Sequence, residues 1–146
     1  MKQKNKSNSL LNSIFSDFEF LKIDSSKSYL FDYKAKKTLL CFWSPTCGLC
    51  QDELPTLSKL QQIYIYKGLK IIAYSIDTNV NEIKKQITDS TNNLIFCWNS
   101  APKTLDLIVK YNIYKIPFFI LLDKNKKIIE IIDNKEKLLE VLNKTM

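Results

Sequence analysis

The hydrophobic positions of this chain fall into short runs of two different periods, and their alternation predicts the architecture. Phe18-Glu19-Phe20-Leu21-Lys22-Ile23 alternates as a half-buried strand does, and Ser28-Tyr29-Leu30-Phe31 reads as a second short strand or a turn. Thr38-Leu39-Leu40-Cys41-Phe42-Trp43 is apolar without a break, the pattern of a strand covered on both faces at the centre of a sheet. A helix is predicted over 47–67, where Leu54, Leu57, Leu60 and Tyr64 recur at helical spacing. Pro55 inside it predicts a kink, and Gly68 is a natural C-cap. A second buried strand follows over 69–76, then a helix over 81–88 through Ile83 and Ile87. The pattern continues with a strand over 94–98 and a short helix over 104–111 carrying Leu105, Ile108 and Val109. Residues 117–122 and 128–132 pair as a hairpin around Asp123-Lys124-Asn125-Lys126, and 136–143 close the chain as an amphipathic helix through Leu138, Leu139 and Leu142. Strands alternating with helices, then a hairpin and a helix, predict an α/β sandwich.

With 146 residues, 45% of them hydrophobic, the chain is one domain with enough apolar side chains for a core. Residues 1–8 are polar and basic, and 1–16 together read as a flexible or loosely ordered segment ahead of a domain over 17–146. The apolar stretch 10–15 is too short and interrupted for a signal-peptide core, so either the chain stays in the cytosol or an export or anchoring segment precedes it. No run approaches the roughly 18 apolar residues of a membrane span.

The missing residue types narrow the chemistry. The sequence holds neither His nor Arg, which excludes hydrolases built on a His base, His-ligated metals and arginine-finger phosphoryl transfer. The net charge of +7 comes from 22 Lys spread along the chain. Base readout favours the bidentate Arg fork, so a solvated Lys-rich surface is expected here and not a nucleic-acid partner.

One segment carries reactive groups: Phe42-Trp43-Ser44-Pro45-Thr46-Cys47-Gly48-Leu49-Cys50. Two cysteines three apart stand where a buried strand ends and a helix begins. At a helix N-terminus the free N–H groups and the macrodipole favour negative charge, so the Cys47 thiol is expected to fall from about 8.5 toward the roughly 3.5–7.5 of such sites. Cys50, one turn along, can close a disulfide with it. The pattern reads as a redox dithiol in which Cys47 attacks and Cys50 resolves. A structural disulfide would gain little from so short a loop. A zinc site would need Cys41 and Cys97, both in predicted buried strands, and haem attachment needs a His where Gln51 stands. No metal and no bound cofactor are expected.

Further features accompany the dithiol in a fixed order. They are Ser28 to Lys37 before the central strand, Trp43, the CxxC, Glu53-Leu54-Pro55, the strand Ile72-Ala73-Tyr74-Ser75-Ile76-Asp77, and Tyr111-Asn112-Ile113 followed by Ile116-Pro117 and Phe119-Ile120-Leu121-Leu122-Asp123. In this order they resemble the thioredoxin-like superfamily, specifically its TlpA/ResA-type thiol–disulfide oxidoreductases, over nearly the whole chain. The resemblance implies a thioredoxin-like fold with a central mixed sheet flanked by helices on both faces. It also implies a cis Ile116–Pro117 bond facing Cys47, with the backbone of Ile116 open to pair with a substrate chain. Protein disulfides or dithiols, together with a redox partner protein, are the partners it implies, and the cell envelope is the compartment.

Departures from the family pattern matter too. Thr46 precedes the first cysteine where the family usually has Trp, and Gly48-Leu49 lacks the proline common between the cysteines. The buried Asp of thioredoxins is matched by Cys41 and its companion Lys by Ala73, so the usual proton shuttle is missing. Glu53 and Asp77 are the nearest carboxylates by sequence; each is either a general base or simply a solvated side chain. Cys41 and Cys97 read as small buried hydrophobes, with a further redox thiol as the alternative for Cys97. Trp43 is expected to pack beside the dithiol. Two rival functions stand beside thiol exchange. A peroxiredoxin-like peroxidase requires a Pro/Thr spacing and an Arg that this chain lacks, and a non-catalytic interaction module sits poorly with an intact CxxC.

Overall fold

The computed structural model describes residues 7–146. Seven strands form one mixed sheet in the order β2-β1-β5-β4-β3-β6-β7. In chain order they are β1 (Glu19–Lys22), β2 (Lys27–Tyr29), β3 (Lys37–Trp43), β4 (Leu69–Ser75), β5 (Ile95–Trp98), β6 (Phe118–Leu122) and β7 (Ile128–Ile132). The helices are α1 (Gly48–Tyr64), α2 (Val80–Lys85), α3 (Ala101–Lys110) and α4 (Lys135–Thr145). β3, β4 and β5 run parallel, while β1 and β6 pair antiparallel to β5 and β3.

Strand parity sorts the core into two layers. Leu39, Cys41 and Trp43 of β3, Ile71 and Ala73 of β4, and Phe119 and Leu121 of β6 face α1 and α4 through Leu54, Leu57, Leu138, Val141 and Leu142. Leu40 and Phe42, Ile72 and Tyr74, and Phe118, Ile120 and Leu122 face the opposite layer, built from Leu107 and Tyr111 around α3 and from Phe15 and Phe18. The continuous apolar runs of β3 and β4 have this origin: both faces are covered, so no position is polar for solvent. Helices therefore lie on both faces of the sheet.

Several boundaries differ from the sequence pattern. α1 contains Pro55 and ends at Tyr64, and a 3-10 turn over Ile65–Lys67 carries the chain to Gly68. α2 stops at Lys85, short of the predicted 88. α3 begins at Ala101, earlier than 104, because Ser100 caps it and Pro102 fits its first turn. Leu105 and Val109 of α3 are exposed at 58% and 59%; its inner face is Thr104, Leu107, Ile108 and Tyr111. Thr104 is tolerated inside because its hydroxyl hydrogen-bonds Tyr74 at 2.8 Å.

Of the segment 1–16 expected to be loose, residues 1–6 lie outside the described residues. Residues 12–16 run along the β6–β7 hairpin: Ile14 bridges Lys127, Asn12 N–H donates to the Ile128 carbonyl, and Phe15 N–H donates to that of Lys126. Phe15 is fully buried and stacks on Tyr111 with ring centroids 3.8 Å apart, while the Tyr111 hydroxyl accepts from the Ser16 amide. Phe15, a buried aromatic in an apolar stretch too short and interrupted to show a period, anchors the segment to the domain.

Candidate active site

The two cysteines stand at the junction of β3 and α1. Ser44 and Pro45 turn the chain after Trp43: the Cys47 amide donates to the Ser44 carbonyl at 3.1 Å, and the Ser44 and Thr46 hydroxyls meet at 3.0 Å. The Gln51 side chain reaches back to the Pro45 carbonyl and closes the loop onto the helix. Cys47 is the N-cap of α1. In place of the usual side-chain oxygen, its sulfur accepts from the Cys50 amide at 3.2 Å. Negative charge on that sulfur meets a donor and the positive end of a 17-residue helix.

The pair is asymmetric. Cys47 is half-buried, whereas Cys50 is 1% exposed. Burial, and then the hydrogen bond from its thiol to the Cys47 sulfur, push the Cys50 thiol up to about 12 against an opposing backbone contact from Ser44. Leu49, between them in sequence with Gly48, is 59% exposed. All four cysteines are free.

Beneath the dithiol, Cys41 occupies the α1-facing layer with Trp43 and Cys50. Burial raises its thiol far above the usual range, and the nearby Cys50, Glu53 and Cys47 add to the effect. Cys97 faces the opposite layer, on the other side of the sheet, where burial alone raises its thiol. The sheet thus separates Cys97 from the dithiol. Among the described residues no group of three or more Cys, Asp or Glu side chains is placed to hold a metal ion.

Glu53 lies on α1 one turn after Cys50, is buried, and has Lys135 Nζ at 3.9 Å from its Oε1. Asp77 lies just beyond β4 at the same end of the sheet, and its Oδ1 accepts from the Asn79 amide ahead of α2. That use is a local turn. Trp43 is fully buried against Phe96, edge to face at 5.7 Å, and its indole N–H has no partner among the described residues.

The Ile116–Pro117 peptide bond is cis. Phe42 of β3 pairs with Phe118 of β6, so Pro117 enters β6 at the end of the sheet where β3 leaves for Cys47. Pro117 is buried and Ile116 half-buried, and Ile116 packs on the same core layer as Cys47. Sequence reasoning passes over two residues nearby, Tyr114 and Asp133. The Tyr114 hydroxyl donates to Asp133 Oδ2 at 2.5 Å, and the Tyr114 ring meets Phe118 edge to face at 5.4 Å. Polar positions of this kind leave no periodic signal.

A thioredoxin-type sheet with a dithiol at the head of its first long helix now stands complete, and comparison with known proteins agrees with it. The profile of the Thioredoxin-like family matches residues 35–128. The chain belongs to the thioredoxin-like family and, within it, to the thiol–disulfide oxidoreductases. It is 30% identical over 131 residues to the thiol–disulfide oxidoreductase ResA of Bacillus thuringiensis, covering 88% of this chain and 74% of that protein. It is also 30% identical to the thioredoxin-like protein YneN of Bacillus subtilis, of which it spans 62%. Among solved structures, a domain of a possible thiol–disulfide isomerase from Cytophaga hutchinsonii superposes with TM-score 0.80 at 31% identity, covering 92% of each chain. The thioredoxin domain of a thiol–disulfide oxidoreductase from Bacteroides vulgatus gives 0.81 at 25% identity, with 92% of this chain and 96% of that one covered.

Proposed function

We propose that this protein exchanges disulfides with protein substrates through Cys47 and Cys50, in the reductive direction. The observation that carries the reading is the asymmetry of the pair: a reachable sulfur at a helix N-terminus above a buried thiol raised to about 12. The Cys47 thiolate attacks one sulfur of a substrate disulfide, forming a mixed disulfide and releasing the other substrate sulfur as a thiolate that takes up a proton. Cys50 then gives up its proton and attacks the Cys47 sulfur. The mixed disulfide breaks, the second substrate thiol leaves, and the enzyme holds the Cys47–Cys50 disulfide until a partner dithiol reduces it. Substrate is received beside Ile116 and Pro117, where an extended chain can add its backbone to the loop. Glu53 takes the Cys50 proton, since it is a buried carboxylate one turn away and Cys41 stands where a buried acid would otherwise serve. Asp77, tied into its turn, is the lesser candidate. Trp43 supports the dithiol from below. The chemistry uses no bound cofactor.

The reductive direction rests on the likeness to the TlpA/ResA-type oxidoreductases, and the redox potential of the Cys47–Cys50 pair checks it, because oxidants on this fold stabilise their reduced form. That potential is expected near the roughly −270 mV of thioredoxin and far from the −120 mV or so of a strong oxidant. The test is a Cys50→Ser variant, which should accumulate mixed disulfides with client proteins on Cys47, visible on non-reducing gels and lost with Cys47→Ser. A folded Cys50→Ser protein that traps nothing would refute the reading.

A further inference from the structure

The junction of β7 and α4 runs through Asp133, Asn134 and Lys135; Asp133 contacts Tyr114, which leads to Ile116, and Lys135 contacts Glu53. Asp133 accepts from the Tyr114 hydroxyl through Oδ2 and from the Asn134 side-chain Nδ2 through Oδ1 at 3.1 Å, so both carboxylate oxygens are held. The Tyr114 hydrogen bond holds the Asp133 carboxyl below its usual range, and the same contact pushes the Tyr114 phenol up to about 12. Through Phe118, Tyr114 also touches the residue that follows Pro117. The loop that carries Ile116 is thereby pinned at its start by Asp133.

Lys135 has a different partner, Glu53. It is the first residue of α4, capped by Asn134, whose Oδ1 accepts from the Lys137 amide at 2.8 Å. A cation is out of place at a helix N-terminus, where the macrodipole repels it. Such a breach of local preference calls for a compensating contact. The compensation here is Glu53, whose side chain is only 10% exposed and whose Oε1 lies 3.9 Å from Lys135 Nζ. The same carboxylate lies close enough to the floor of the site to act on Cys41.

We infer that this junction is a two-ended positioning device for the exchange reaction: Asp133 sets the substrate loop through Tyr114, and Lys135 sets the Glu53 carboxylate, one helical turn along α1 from Cys50. The inference rests on the thiol exchange proposed above. Asp133 then governs the first step, in which the substrate docks and Cys47 attacks. Lys135 governs the second, in which Cys50 passes its proton to Glu53 and displaces the substrate sulfur from Cys47.

The experiment is steady-state reduction of insulin with dithiothreitol as the electron donor, using the full chain. Asp133→Asn keeps the shape but weakens the charged hydrogen bond; it should raise KM for insulin roughly threefold to tenfold with kcat unchanged. Lys135→Met should lower kcat by a similar factor with KM unchanged, and Lys135→Arg should restore it. Circular dichroism checks that each variant is folded. Variants with wild-type constants, or variants in which both constants fall together with the melting temperature, overturn the inference while leaving the exchange reaction standing. A wild-type protein no faster than dithiothreitol alone overturns both.

Discussion

The amide of Cys50 points at the sulfur of Cys47 across 3.2 Å, so Cys50 steadies that sulfur through its backbone while its own thiol stays out of solvent. One helical turn thus gives two identical side chains opposite properties. The proposed exchange needs that difference: a nucleophile must be reachable, and a resolving group must wait until the mixed disulfide has formed.

Selective alkylation tests this division. Iodoacetamide at neutral pH should modify Cys47 in the native protein and leave Cys41, Cys50 and Cys97 unmodified, with all four reacting after denaturation; mass spectrometry of tryptic peptides counts the labels. With its thiol raised to about 12, Cys50 becomes reactive only as pH rises. In a Cys47→Ser variant, which keeps the burial, the Cys50 labelling rate should climb about tenfold per pH unit through the alkaline range where the protein stays folded. A plateau near pH 8 would contradict the burial argument. The linkage has a definite sign. A thiol whose folded pKa is raised adds stability below its unfolded pKa of about 8.5, and that stability is lost as pH rises toward 12. Reduced protein should therefore become easier to unfold in urea between those limits.

Gln61 of α1 does the work of a missing strand. β5 pairs with β4 only from Ile72 onward, which leaves the start of β4 without a neighbour on that side. The Gln61 side chain fills the gap: its amide donates to the Leu69 carbonyl and its carbonyl accepts from the Ile71 amide, each at 2.7 Å. Gln61→Leu would strand two buried backbone groups and should cost roughly 2–4 kcal/mol in urea unfolding. An unchanged midpoint would mean that water replaces the side chain.

Trp43 offers a contrast between volume and polarity. Its ring fills the space beneath the dithiol, but its N–H has no partner among the described residues. Trp43→Phe relieves that buried donor while losing some packing, so the net change should stay within about 1 kcal/mol. Trp43→Ala should cost about 3–5 kcal/mol. Chemical denaturation of the pair separates the two contributions.

Gly68 carries the chain from the 3-10 turn into β4 with φ of 91°, and a Cβ there would stand 2.7 Å from Lys36 Cβ. Gly68→Ala meets both an unfavourable backbone and a collision, and should destabilise by roughly 1–3 kcal/mol in the same assay.

The central strands are legible in the sequence because covering both faces removes polar positions, and the dithiol is legible because its spacing is chemical. Parity within those strands also shows why Cys41 and Cys97 part company: they occupy alternate faces of the sheet. Other features escape for identifiable reasons. The head of α3 is signalled by Ser100 and Pro102, capping residues that hydrophobic periodicity ignores. Leu105 and Val109 share helical spacing with Ile108, so periodicity does not tell which side faces the sheet; the hydroxyl pair Thr104–Tyr74 shows it. Phe15 closes a short, interrupted apolar stretch with no clear period, and its partner Tyr111 is remote in sequence. Asp133 and Lys135 look like ordinary surface charges until folding brings Tyr114 and Glu53 beside them.

The lateral margins of the sheet have a consequence for how copies of this chain behave in a crowded solution. One margin, β2, is three residues long and presents Lys27 and Tyr29 outward; the other, β7, has its first residue, Ile128, hydrogen-bonded to the strip around Ile14. Neither border offers a long bare ladder onto which a second copy could zip. Copies of this chain are thereby kept from pairing edge to edge.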